Sequence, residues 1–256
     1  MLKIENTEVT GWEAAIRGMR NPMNSWDKSD TIFNIRFNAE IDAKPYGYTL
    51  NSEEKEVDNP CYEYEIGPND HKLMMNLAKA GSTDAKYRRM INVTADVTAP
   101  LYWWKEYDTY KVGTVANSCS TMHKIHSKEF TRDDFSCEHL IEYRGPEEVP
   151  AIAVGERFST IENKIRRFWP SDILDLTISM LNRSRQMFLE TKDKRFWWQM
   201  IQLLPSSYNQ RRTIQLNYEV LANIYGQRKN HKLDEWRDFC AWVKTLPYSE
   251  LITMED

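Results

Sequence analysis

The chain has 256 residues, 41% hydrophobic and 28% charged, which fits one large or two small domains with a self-sufficient core. Thirty-four basic against 38 acidic residues give a formal net charge of -4. That balance argues against a generic nucleic-acid coat or a basic membrane binder, but not against a small phosphorylated ligand held by a local cluster of donors.

In chain order, Leu2 to Val9 reads as a short strand. Gly11 opens a helix over residues 12–19, whose apolar residues recur at helical spacing and which Asn21-Pro22 ends. Residues 31–37 alternate apolar and polar side chains, as a half-buried strand does. Residues 44–60 carry Pro45, Gly47, Asn51 and the charge run Glu53 to Glu56, and read as a surface connection. A helix starts at Pro68-Asn69-Asp70, where Asn69 or Asp70 is expected to cap the free N–H groups. Leu73, Leu77 and Ala80 mark its apolar face and Gly81 its stop. Residues 90–98 are β-branched and alternating, a strand that Ala99-Pro100 terminates. Residues 101–110 form an aromatic-rich helix.

The second half reads as mostly helical. Residues 156–168 repeat Phe158, Ile161, Ile165 and Phe168 at three- and four-residue spacing, and Pro170 ends them. Ser171 is expected to cap a long segment with apolar residues from Ile173 to Leu189. Residues 195–204 form another apolar segment, stopped by Pro205. Ile214, Leu216, Val220, Leu221 and Ile224 line a helix ending near Gly226, and residues 233–246 form the last helix, with Trp236, Phe239, Cys240 and Val243 inward. The order predicts a single α+β domain over residues 1–256, a small sheet with long helices and a helix-rich C-terminal half. The scarcity of glycine (9 residues) disfavours hairpin-rich architectures and glycine-rich phosphate loops. No apolar run reaches the roughly 18 residues of a membrane span, and the N-terminus lacks an apolar signal core. Cys61, Cys119, Cys137 and Cys240 form no C-x-x-C pair, so they read as reduced thiols of a cytoplasmic protein, most of them packing residues.

Two constellations carry chemistry. The first joins the five aromatics of residues 102–110 to the run from Lys111 to Lys124. The aromatics can stack a planar ring or fill a core, and the tendency of aromatics to be buried favours the core. The run that follows holds Asn117, Ser118, Ser120 and Thr121 beside Lys111, His123 and Lys124. Its hydroxyls, backbone N–H groups and cations suit a phosphate or sugar, although a solvated polar turn explains the same letters. The second constellation runs from Leu203 to Arg212 and on to Asn217, Asn223 and Arg228. Polar amides on an apolar helix are costly unless satisfied, by a ligand or by neighbouring backbone. Asn223 and Gln227 lie at i and i+4 on one stripe. His123 and His126 lack a carboxylate at a metal-binding spacing, so no metal is expected, and Cys119 reads as a bystander rather than a nucleophile.

Taken together the two constellations resemble the flavin-dependent thymidylate synthase family. Leu77 to Gly81 is similar to the family's helix and glycine, and Val97 to Pro100 to its strand end. Residues 117–123 are similar to the N-E-x-S-x-R-Y part of the signature R-H-R-x-x-S-x-N-E-x-S-x-R-Y, keeping Asn117 and Ser120. Leu204-Pro205, Asn217, Leu221, Asn223 and Arg228 keep the later pattern in register, and Asp234 to Arg237 stands where the family has its Gln-x-Glu-Ile-Arg helix. The departures are Tyr110-Lys111-Val112 in the region of Arg-His-Arg, Ser118 for the Glu and Met122 for the Arg.

The resemblance implies C5 methylation of a pyrimidine deoxynucleotide such as dUMP, with FAD, NADPH and methylene-tetrahydrofolate, in a homotetramer without nucleic acid or membrane. It also implies site residues. Arg228 would contact and activate the base, Ser120, Thr121 and Lys124 would bind the nucleotide, and Lys111, Asn117, Asn217 and Asn223 would hold the flavin. Asn117 and Ser120 are expected to converge with Asn223 and Arg228 on one heterocycle. The departures imply an alternative, a nucleotide-binding or regulatory homologue without ordinary flavin-dependent activity.

Overall fold

The structure, a computed structural model, describes residues 2–35, 62–142 and 169–255. Its strands are β1 (Lys3–Thr10), β2 (Ile32–Ile35), β3 (Tyr62–Glu65), β4 (Asn92–Pro100), β5 (Val115–Ser118) and β6 (Asn209–Asn217). Its helices are α1 (Trp12–Arg20), α2 (Pro68–Ala80), α3 (Leu101–Tyr107), α4 (Pro170–Thr191), α5 (Lys194–Leu203), α6 (Tyr218–Arg228), α7 (Asp234–Val243) and α8 (Glu250–Thr253). The main sheet has the order β1-β4-β6-β5, and β2 and β3 form a separate antiparallel pair. The architecture is α+β, a small sheet among helices, as expected from the sequence. The expected helix over residues 156–168, the surface connection 44–60 and Cys61 lie outside the described residues.

The described residues group into two compact units. The first comprises residues 1–7, 94–215 and 229–242, and the second residues 8–93, 216–228 and 243–256.

The first unit is built around α3 and α4. On α3, Trp103, Trp104 and Tyr107 are buried, and the Trp103 ring centroid lies 4.9 Å from Trp104, 5.3 Å from Tyr107 and 4.7 Å from Trp236 of α7. The aromatic helix is therefore core. Trp236, Phe239 and Cys240 of α7 point inward as predicted. A second cluster joins Ile125, Phe130 and Phe135 to Leu174 and Leu181 of α4 and Met200 of α5. Ser171 does not cap α4. Asp172 does, with Oδ2 accepting the Trp169 N–H at 2.9 Å.

The second unit begins with α1. Trp12, Ala15, Ile16, Met19 and Arg20 fall on one buried stripe, at the i, i+3, i+4, i+7, i+8 spacing of an amphipathic helix. Gly11 adopts φ 93°, and a Cβ there would sit 2.0 Å from the Met90 carbonyl oxygen. Trp12 packs against the rings of Tyr64, Tyr218 and Tyr248 at 5.0, 5.3 and 5.4 Å.

Helix α2 departs from its sequence reading twice. Its buried face is Asp70, Met74 and Ala78 rather than Leu73, Leu77 and Ala80. Its caps come from elsewhere in the chain: Asp30 accepts the Asn69 and Asp70 N–H groups at 2.9 and 3.0 Å, and Asp70 Oδ2 accepts the N–H groups of Asp30 and Thr31, both at 3.1 Å. This reciprocal exchange replaces a local cap with a long-range one.

Three boundaries also move. Pro100 belongs to β4, where Val93, Ala95, Val97 and Ala99 alternate inward. The segment carrying Ile214 and Leu216 is strand β6, and the helix begins only at Tyr218. A further short helix, α8, follows α7. Residues 214–224 read as one helix because a strand alternating Ile214 and Leu216 runs directly into a helix carrying Leu221 and Ile224. Gln210 then joins Ile214 and Leu216 on the buried face of β6.

Candidate functional site

The run from Lys111 to Lys124 is not simply a turn. Val115–Ser118 is an edge strand with every residue exposed, paired antiparallel to β6 so that Asn117 lies opposite Thr213 and Ser118 opposite Arg212. The polar stretch hides its strand character because its partner is about a hundred residues away. Beyond β5 the chain turns. The Cys119 N–H donates to the Arg211 carbonyl at 2.9 Å, and Gln210 Nε2 donates to the Cys119 carbonyl at 2.7 Å. Ser120 Oγ accepts the N–H groups of Met122 and His123 at 3.2 and 2.8 Å, the hydroxyl-closed turn that short polar residues favour. Trp197 Nε1 of α5 donates to the Met122 carbonyl at 2.9 Å. Ser120, Met122, His123 and Lys124 present exposed side chains, and Thr121 is half-buried. Cys119 is also exposed, unlike the buried Cys240, so it is not a packing thiol.

The charges behind the turn are largely committed. Arg212 places its guanidinium 4.2 Å from the Trp104 ring centroid and donates to Asp108 at 2.7 Å and to Gln210 Oε1 at 3.0 Å. Arg211 donates to Asp96 at 2.7 Å. Asp96 also accepts from Thr213 Oγ1 at 2.5 Å and Asn6 Nδ2 at 2.8 Å. The hydrogen bonds from Thr213, Asn6 and Arg211 hold its carboxyl well below the usual carboxylate range. Arg211 and Arg212 are therefore bound into ion pairs. Lys111 and Lys124 are the exposed cations of this stretch.

The remaining sequence-nominated residues sit in the second unit. Asn217 closes β6, and its Oδ1 accepts the Val220 N–H at 3.0 Å, capping α6. Asn223 is exposed on α6 and accepts from Gln227 Nε2 at 2.8 Å, the pair read from the i, i+4 spacing. Arg228 is the last residue of α6 and half-buried. Lys111, Asn117, Ser120, Thr121 and Lys124 thus share one unit, and Asn217, Asn223 and Arg228 the other. Among the described residues no group of three or more His, Cys, Asp or Glu is placed to hold a metal ion. Among the same residues, no helix is long and apolar enough to cross a membrane.

Sequence reasoning missed Gln210 and Trp197 as supports of the turn. The signal for Gln210 was available once residues 209–217 are read as a strand, because it is the polar member of the buried alternation. Trp197 left no such signal.

No family model and no curated protein sequence matches this chain. Solved structures do match in fold. Thymidylate synthase X (ThyX) from Helicobacter pylori, crystallised with FAD and dUMP, gives a TM-score of 0.60 at 12% identity, over 99% of this chain and 98% of that one. The UMP/dUMP methylase PolB from Streptomyces cacaoi, bound with 5-Br UMP, gives a TM-score of 0.55 at 12% identity, over 99% of this chain and 95% of that one. The fold of this chain is similar to those of ThyX and PolB.

Proposed function

We propose that this protein is a flavin-dependent transferase that methylates C5 of a pyrimidine deoxynucleotide such as dUMP, acting as a cytoplasmic homotetramer with FAD, NADPH and methylene-tetrahydrofolate. The observation that carries the reading is the ThyX fold over 99% of the chain, in which polar residues keep the order of the family's site. Ser120, Thr121 and Lys124 bind the nucleotide phosphate. Hydroxyls donate to its oxygens and the ammonium offsets its charge. Arg228 donates to the base and stabilises negative charge as the ring is activated.

On this reading the donors to FAD are Lys111, Asn117, Asn217 and Asn223. Lys111 supplies a cation for the phosphates as a point charge rather than a fork, and Asn117, Asn217 and Asn223 supply amides. FAD, when bound, provides the redox chemistry that the side chains lack. The protein's own contribution is to bind, orient and polarise, which needs no strong nucleophile.

The test is to purify the protein, add FAD, follow flavin absorbance, and measure dUMP binding and conversion. A protein that takes up no FAD and leaves dUMP unchanged overturns the reading.

One observation favours a second reading, a nucleotide-binding or regulatory homologue. Tyr110-Lys111-Val112 lies in the region of the family's Arg-His-Arg, and Val112 is 89% exposed with no side-chain donor. Tight dUMP binding without rescue of thymidine-requiring cells supports it, and rescue removes it.

A further inference from the structure

The turn from Cys119 to His123 is held by two side chains distant in sequence. Gln210 Nε2 grips the Cys119 carbonyl from 91 positions away, and Trp197 Nε1 grips the Met122 carbonyl from 75. Gln210 is buried, and such an amide is costly unless satisfied. Here Oε1 accepts from Arg212 Nε at 3.0 Å while Nε2 serves the turn. Trp197 packs against the cluster of Ile125, Phe130 and Met200, so its ring is fixed and its N–H is aimed by the core. Within the turn, Ser120 Oγ accepts two N–H groups, which leaves its own proton to donate outward.

The held segment itself buries little. Cys119, Ser120, Met122 and His123 are exposed, so core packing does not explain two long-range anchors on their backbone. Pre-organisation does, because a donor fixed in advance loses less entropy when a ligand arrives.

We propose that Gln210 and Trp197 are positioning residues that hold the Ser120 hydroxyl ready for a ligand phosphate. The inference rests on the reading of Ser120 as a phosphate donor. Neither residue touches the ligand; each acts through the turn.

The experiment titrates dUMP and deoxyuridine onto wild type, Ser120→Ala, Trp197→Phe and Gln210→Leu. Trp197→Phe keeps an aromatic ring against the core and removes the N–H together with the pyrrole part of the indole. Each variant is expected to bind dUMP about tenfold more weakly and deoxyuridine as wild type does, because a misplaced donor is felt only by the phosphate. Amide exchange over residues 119–123 is expected to quicken in Trp197→Phe and Gln210→Leu. Should Gln210→Leu fail to fold, Trp197→Phe decides. The inference is overturned if Trp197→Phe binds dUMP like wild type, or loses dUMP and deoxyuridine equally. If that happens while Ser120→Ala still loses dUMP, the functional reading survives alone. A wild type that binds neither compound removes both.

Discussion

Arg20 Nε lies 2.6 Å from Asp70 Oδ1, and both side chains are buried, at 5% and 0% exposure. Arg20 Nη1 also donates to the Ser25 carbonyl at 3.1 Å, while Asp70 Oδ2 accepts from Ser29 at 2.7 Å and Thr31 at 2.6 Å. A buried ion pair of this kind survives where further hydrogen bonds offset its desolvation, as those with Ser25, Ser29 and Thr31 do here. It ties the end of α1, the segment before β2 and the first turn of α2 into one polar knot.

Removing one partner leaves the other charge buried and unpaired. Asp70→Asn is expected to destabilise the protein by about 3–5 kcal/mol, read from denaturant midpoints at neutral pH. A loss below about 1 kcal/mol would mean that the pair is hydrated in solution.

The same knot sets an acid limit. Burial alone would raise the Asp70 carboxyl, but the hydrogen bonds from Thr31, Ser29 and Arg20 and the Arg20 charge outweigh it and hold it below its ordinary value of 3.8. A folded value below the unfolded one gives stability that is fully present above the ordinary carboxylate range. It is lost as pH falls through that range towards the folded value. Wild type is expected to lose stability steeply below about pH 4, and Asp70→Asn to show a flatter profile over the same interval.

Gly11 and Gly81 both have positive φ, 93° and 109°, but differ in what surrounds them. A Cβ at Gly11 would strike the Met90 carbonyl oxygen at 2.0 Å, whereas at Gly81 nothing lies within 4 Å. Gly11→Ala is expected to cost roughly 3–5 kcal/mol, strain and clash together, against about 1–3 kcal/mol of strain alone for Gly81→Ala. Thermal melting of the two variants side by side orders them, and the reverse order would refute the close approach.

Trp103 is completely buried between Trp104, Tyr107, Trp236 and Phe239. Trp103→Ala should cost about 3–5 kcal/mol through lost burial and a residual cavity. If this helix faced a ligand instead of the core, the change would spare stability and alter binding.

Arg228 is the proposed contact to the base. Arg228→Lys keeps the charge but loses the planar fork, so dUMP affinity is expected to fall about 10- to 100-fold. Calorimetric titration checks it, and unchanged affinity would separate Arg228 from the nucleotide.

Local periodicity carried much of the fold. The stripe of Trp12, Ile16 and Met19, the inward set of Trp236, Phe239 and Cys240, and the alternation of Val93, Ala95 and Val97 are each complete within a dozen residues. The motif order likewise pointed to the fold that ThyX shares. What the letters left open depended on partners far along the chain. β5 is a strand because β6 pairs with it, and α2 turns Asp70 inward because Arg20, Ser29 and Thr31 wait there.

By itself, then, the sequence determined which segments are amphipathic and in what order, because side-chain period is a local property of the backbone. Only the tertiary structure decided which polar groups are buried, which helix face turns inward and which side chains hold the Ser120 turn. Those choices are made when distant donors and acceptors meet out of water, and no single window of sequence contains both members of the pair.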